Sequence, residues 1–215
     1  HYFNNKLDLF QLSYNTNDLT KAANIIKNGG IIIYPTDTLY GIGCNPFDPK
    51  AIKKLIKLKK RSDKPLPILC SDLNHAQNLV YLGELGKKLA ARFWPGGLTI
   101  IAKSIADNLP RELIGNSGGI GVRVPNHEGA LKIISRCGGK LIATSANISG
   151  NETLETPEKI RQIFNDKFDV LIYGNDKPSG VQSTVVDVVS GKVKIIREGA
   201  VSSKELKKTL KSEDP

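Results

Sequence analysis

Helical and strand-like apolar spacings alternate along this chain, and that alternation restricts its fold more than any other feature. Leu19, Ala22, Ala23, Ile25 and Ile26 recur at helical intervals and stop at Gly29-Gly30, the pattern of an amphipathic helix closed by a glycine cap. Residues 31–34 follow as a continuous apolar run, expected as a buried strand. A second helix is expected from about Asp48, with Pro49 in its first turn, through Ile52, Leu55 and Ile56 toward Leu58. Its end hands Lys59, Lys60 and Arg61 to a loop. Runs at 66–70, 98–103 and 120–124 read as strands, the last stopped by Pro125, and 84–93 and 127–136 read as helices. Residues 140–144, 169–173, 183–189 and 193–197 read as further strands, 157–164 as a helix, and a last helix starts at Ser202. Strands interleaved with helices imply a layered domain, and a late hairpin at Ser190-Gly191 makes its sheet mixed. The expected class is α/β (mixed α+β): a twisted mixed sheet with helices on its faces, over residues 1–200, and 201–215 as a short C-terminal tail or helix.

At 215 residues the chain can bury a full hydrophobic core. It has no apolar run of bilayer length and no basic-then-apolar pattern at its start, so residence in the cytosol, away from membranes, is expected. Cys44, Cys70 and Cys137 are odd in number and widely spaced, which suits buried thiols rather than a disulfide framework or a metal site. His75 and His127 stand apart with no ligand-spaced Cys or carboxylate, so no metal ligation by protein side chains is expected. A formal charge of +10 favours polyanionic partners, nucleotide phosphates or RNA. The lysine-rich runs at 50–64 and 204–211 read equally as solvated helix faces.

Several short segments carry groups suited to anion chemistry. Ser145-Ala146-Asn147-Ile148-Ser149-Gly150 follows a strand directly and displays hydroxyls and an amide at its carboxyl end, where α/β folds bind ligands; an ordinary turn has the same composition. Lys59 and Arg61 could clamp a triphosphate, Arg supplying the forked geometry, or could simply be helix-end charges favoured by the dipole. Arg123 sits in an otherwise apolar, glycine-rich strand and needs an anion, a substrate carboxylate or a structural partner such as Asp187. Pro35-Thr36-Asp37-Thr38-Leu39-Tyr40-Gly41 presents two hydroxyls and a carboxylate in a turn, and Trp94 at a helix end reads as a packing anchor. Neither the dinucleotide glycine signature nor a Walker-type loop is present.

Taken in order, PTDTLYG, KKRSDKPLP, FWPGGLT, GVRVPNH, TSANISG, STVVDV and IIREGA resemble the segments of the YrdC-type threonylcarbamoyl-AMP synthases, from Gly30 to about Ala200. That resemblance implies the YrdC-like fold with a concave basic pocket. It also implies the family reaction, in which L-threonine, bicarbonate and ATP give threonylcarbamoyl-adenylate and pyrophosphate. A downstream threonylcarbamoyl transferase then moves the acyl group to tRNA adenosine. The resemblance assigns Lys59 and Arg61 as catalytic and ATP-binding, with Ser145, Asn147, Thr153 and Arg197 completing the ATP side. It assigns Thr36 or Thr38, Arg123, Thr144 and Ser183 to threonine, with Mg2+ expected on the phosphates. The chain departs from the family after Arg61, where one residue fewer leaves Lys59 and Lys60 as alternatives for the family lysine. It also departs at Leu69, where many relatives place His, and at Gly97, where Pro is commoner. Its end near 215 implies that the separate C-terminal domain of the longer branch is lacking.

Two other classes compete. A noncatalytic RNA-binding protein of the same fold would use the +10 surface without adenylate chemistry, its sign being salt-sensitive tRNA binding without nucleotide turnover, whereas the synthase reading expects weak tRNA binding at most. A detached carbamoyl-adenylate domain of the hydrogenase-maturation carbamoyltransferases would be accompanied by paired CxxC segments, which this sequence lacks.

Overall fold

The computed structural model describes residues 13–60, 65–165, 167–174 and 177–212. Its first helix, α1 (Thr16–Lys27), begins where the Asn15 side chain accepts the Asp18 amide and closes at Asn28. Gly29, at φ 92°, then turns the chain out in a conformation that a Cβ would strain. Leu19, Ala22 and Ile26 form its buried stripe. The apolar run behind it becomes β1 (Ile32–Pro35), buried at every position. A tight turn reverses the chain into β2 (Tyr40–Gly43).

In α2 (Pro49–Lys59), Asp48 caps the first turn by accepting the Lys50 and Ala51 amides, and Pro49 occupies a position whose missing N–H is harmless. After it come β3 (Ile68–Cys70), α3 (Leu73–Leu79), β4 (Val80–Tyr81), α4 (Gly83–Phe93) and β5 (Leu98–Ser104). A short 3-10 turn at Arg111–Leu113 leads to β6 (Gly119–Arg123), α5 (Glu128–Arg136), β7 (Lys140–Ile142) and β8 (Thr144–Ser145). The chain continues through α6 (Pro157–Phe164), β9 (Val170–Leu171), β10 (Thr184–Asp187), β11 (Lys194–Arg197) and α7 (Ser203–Lys211).

Among the described residues the strands form two mixed sheets. The larger runs β11-β10-β5-β6-β3-β7, with β4 also paired to β5, and the smaller runs β8-β2-β1-β9. The hairpin expected at Ser190-Gly191 joins β10 to β11 antiparallel, with Gly191 at φ 84°. The single strand expected at 140–144 is broken at Ala143: β7 pairs with β3 in the larger sheet, and β8 pairs with β2 in the smaller. Residues 140–145 therefore belong to both sheets. At the seam the Ile142 amide donates to the Cys44 carbonyl at 3.1 Å, and a Cβ on Gly43 would lie 1.6 Å from the Ile142 carbonyl oxygen, so only glycine fits. Strand β2, helix α3 and strand β4 are the elements that sequence spacing alone did not indicate.

One side of the smaller sheet packs with α1 and α5 around Leu19, Ile26, Tyr34, Leu69, Ile133 and Leu141. The main core gathers residues of α2, α4, α6 and the larger sheet, and α7 docks on α4 with Leu206 buried in it. Cys44 and Cys70 are buried and Cys137 half-buried, and desolvation pushes each thiol from an ordinary value near 9 up to about 12. Among the described residues no helix is long and apolar enough to cross a membrane.

Candidate functional site

The helix face that buries Ile52 and Leu55 carries Lys59 inward in the last turn of α2, where its side chain ends 1% exposed. Its Nζ donates to Thr144 Oγ1 at 3.1 Å, to Asn147 Oδ1 at 3.2 Å and to the Ser145 carbonyl. Ser145 Oγ donates to the same Asn147 Oδ1 at 2.7 Å, while Asn147 Nδ2 donates to the Asn151 carbonyl at 2.7 Å, which fixes the amide's orientation. The Ser149 amide donates back to the Lys59 carbonyl at 3.0 Å. Lys59, Thr144, Ser145 and Asn147, read from separate segments, thus form one bonded group. Lys60 caps the helix in the left-handed region at φ 52° with its side chain exposed. This separates two neighbours that sequence could not tell apart: one is internal, the other faces solvent. Arg61 lies outside the described residues. Thr153 is half-buried beside Leu154, whose amide donates to the Ala146 carbonyl of the same turn.

A second group forms where β6 ends. Alternation puts Ile120 and Val122 into the core, and Gly119, Gly121 and Arg123 on the opposite face. Arg123 Nη1 donates to Asp37 Oδ1 at 2.7 Å and to the Gly96 carbonyl at 3.1 Å, and Nη2 donates to Thr38 Oγ1 at 3.1 Å. Its anionic partner is Asp37 rather than Asp187, whose carboxylate accepts the Val189 amide. Thr36 Oγ1 donates to the Leu39 carbonyl at 2.7 Å and accepts the Thr38 and Leu39 amides, closing the turn. With that proton committed, the Thr38 hydroxyl donates to Thr36 across 3.1 Å and accepts from Arg123.

The third group lies beside the second, at the start of β5, whose antiparallel register with β6 sets Ile100 opposite Val122 and so brings Thr99 next to Arg123. Thr99 Oγ1 and Ser183 Oγ are 2.9 Å apart, and Arg197 donates twice to the Ser183 carbonyl, from Nε at 3.2 Å and Nη2 at 2.8 Å. Thr184 Oγ1 accepts the Gly199 and Val201 amides and donates to the Val201 carbonyl, fixing the turn behind Arg197. Gly97 presses on that turn: a Cβ there would lie 2.6 Å from Ala200 Cβ.

Short bonded segments join the three groups. The β2–β8 register sets Gly41 opposite Ser145. The Asp37 and Thr38 carbonyls accept the Ser179 and Gly180 amides, and the Gln182 carbonyl accepts the Ala200 amide. Trp94 packs near by, its indole N–H donating to the Leu98 carbonyl at 2.7 Å, in the anchoring role its position suggested. Sequence reasoning did not single out Thr99 or Thr184, nor Asp37 as the partner of Arg123. The signal for Asp37 was its place between two hydroxyl residues in a turn. Among the described residues no group of three His, Cys, Asp or Glu side chains could hold a metal ion. The cations and hydroxyls suit the binding of an anionic ligand.

Comparison with known proteins is consistent across sequence and structure. Residues 24–199 match the Sua5/YciO/YrdC family, described as telomere recombination. A threonylcarbamoyl-AMP synthase of Pyrococcus abyssi is 34% identical over 191 residues, 88% of this chain and 56% of that protein. One of Chromobacterium violaceum is 33% identical over 175 residues, 80% of this chain and 90% of that protein. The crystal structure of P. abyssi Sua5 complexed with L-threonine superposes with a TM-score of 0.87 at 31% identity, covering 94% of this chain and 60% of that one. The chain thus spans little more than half the length of the Pyrococcus protein.

Proposed function

The chain belongs to the Sua5/YciO/YrdC family, and from that premise we propose that it is an L-threonylcarbamoyladenylate synthase. The observation that carries this reading is the convergence of Lys59, Thr144, Ser145 and Asn147 in one bonded group, tied by β2 to the turn that meets Arg123. The named relatives make threonylcarbamoyl-AMP, and one neighbour holds L-threonine.

In the proposed reaction the threonine amine and bicarbonate give a carbamate. A carbamate oxygen attacks the α-phosphorus of ATP, the bond from that phosphorus to the bridging oxygen breaks, and pyrophosphate leaves with the electron pair. The nucleophile is already an anion, so the protein need not supply a strong base at that step. Asp37, bonded to Arg123 and Asn126, is not placed to act as one. What the chain's residues contribute is alignment, charge neutralisation and exclusion of water. Lys59 and Arg61 act as catalytic cations on the nucleotide, with Ser145, Asn147, Thr153 and Arg197 completing the ATP side. Thr38 or Thr36, Arg123, Thr144 and Ser183 receive threonine. Mg2+ accompanying the triphosphate would neutralise part of its charge, and no protein side chain is assigned to hold it. The catalytic unit is residues 1–200, with 201–215 a C-terminal tail whose helix docks on α4. The product goes to a cytosolic transferase acting on tRNA, and direct tRNA contact is secondary.

The test is pyrophosphate release from ATP and Mg2+ by purified protein. Release that requires both threonine and bicarbonate is expected. No release at any threonine concentration would overturn the proposal.

A further inference from the structure

We infer that Asp37 is the positioning residue of the amino-acid half of the site: it fixes the Arg123 guanidinium so that a defined pair of hydrogens is left for a substrate carboxylate. This rests on the reading above and deepens it.

An aspartate between two threonines in a tight turn would ordinarily serve the turn itself. Here it does not. Thr36 closes the turn with its own hydroxyl and backbone, through bonds to Thr38 and Leu39. The Asp37 carboxylate instead spans two distant points, Oδ1 accepting Arg123 Nη1 at 2.7 Å and Oδ2 accepting the Asn126 amide at 3.0 Å. Anchored by both oxygens, it cannot swing with the guanidinium. The pair is shielded, with the Arg123 side chain 5% and the Asp37 side chain 17% exposed, so the interaction is screened less than a surface pair.

A guanidinium has five N–H donors. Among the described residues, Asp37 and the Gly96 carbonyl take both of those on Nη1, and Thr38 takes one on Nη2. Nε–H and one Nη2–H remain. Without Asp37, Arg123 keeps its bonds to the Gly96 carbonyl and Thr38 but loses the ionic contact among the three that hold its plane, and a loosened arginine must be ordered again each time a carboxylate binds. The penalty falls on threonine binding. Little of it reaches the nucleotide, which meets other residues.

The experiment uses the full chain carrying Asp37→Asn, which keeps the shape and removes the charge. With ATP and bicarbonate saturating, the threonine KM is expected to rise roughly 10- to 100-fold, the factor for losing one charge-assisted hydrogen bond. The kcat should stay within about threefold and the ATP KM unchanged, a split that a merely structural aspartate would not produce. A threonine KM within twofold of wild type overturns the inference. If D37N does not fold, Asp37→Glu, which keeps the charge and displaces the guanidinium, is read by the same criterion. If the wild-type chain releases no pyrophosphate, the synthase reading falls. Calorimetric titration of L-threonine into both proteins then decides Asp37's role: weaker binding to D37N supports it, while equal affinities, or no binding to wild type, overturn it.

Discussion

Replacing Lys59 separates what a buried ammonium does for the fold from what it does for the site. Lys59→Met keeps most of the aliphatic stem and removes the charge. The bonds to Thr144, Ser145 and Asn147 are lost. The acceptors left without the ammonium cost about 1–3 kcal/mol each, roughly 3–9 kcal/mol together. Against that, the folded state no longer has to desolvate an ammonium, which recovers several kcal/mol. The two terms largely cancel, so K59M should differ from wild type by no more than about 2 kcal/mol, or about 4–8 °C in melting temperature. Lys59→Ala also empties the space of the stem and should lose a further 2–3 kcal/mol or so. Activity should not follow stability. Both variants release the Ser145–Asn147 turn from its anchor, and kcat/KM for ATP should fall at least about 100-fold in each. Circular dichroism melts and pyrophosphate release give the two readouts. K59M with ATP use within threefold of wild type would refute the reasoning, as would a K59M that loses about 5 kcal/mol or more.

Gly97→Ala drives a methyl to within 2.6 Å of Ala200 Cβ. It should lose about 1–3 kcal/mol and raise the ATP KM through the displaced Arg197 turn, and adding Ala200→Gly should restore both. Thr184→Val leaves the Gly199 and Val201 amides without their acceptor, lowering stability by about 2–4 kcal/mol in urea titrations, whereas Thr184→Ser should be nearly silent. The three thiols stay protonated in the folded chain up to about 12 but ionise near 9 when unfolded. The folded state therefore binds more protons between those values. Stability should be independent of these thiols below about pH 9 and fall as pH rises above it, and a triple Cys→Ala variant should lose that extra slope. In native protein at pH 8 a thiol reagent should label the cysteines far more slowly than after denaturation.

The elements legible in the sequence were those whose ends carry their own chemistry. Gly29 terminates α1, Asp48 and Pro49 start α2, Ser202 starts α7, and each helix appears where these residues place it. Strand β2 was hidden because Gly41 and Gly43 have little strand propensity, and their reason, the close passage of Ala143 and Ile142, is a tertiary contact. The seven-residue α3 relies on Asp72 accepting the His75 amide and has too short an apolar stripe to announce itself. In the site, the K-x-R and S-x-N segments were visible as separate pieces. That Lys59 rather than Lys60 turns inward follows from one residue's rotation on a helix whose other buried positions are Ala51, Ile52 and Leu55. The partner of Arg123 could not be chosen between carboxylates at distant positions until the turn at 36–39 was placed beside the end of β6.

Ligand-contacting turns usually open readily, with amides that exchange with solvent long before the core does. The turn at 145–147 hangs from residues 140–145, a segment that both sheets use, and its Ala146 amide donates to the Tyr40 carbonyl across the smaller sheet. Freeing it means detaching an edge of one sheet, and a few residues upstream an edge of the other. Hydrogen exchange at Ala146 should therefore follow global unfolding rather than local fraying, and a bound triphosphate would meet a floor whose ordering entropy was spent when the chain folded.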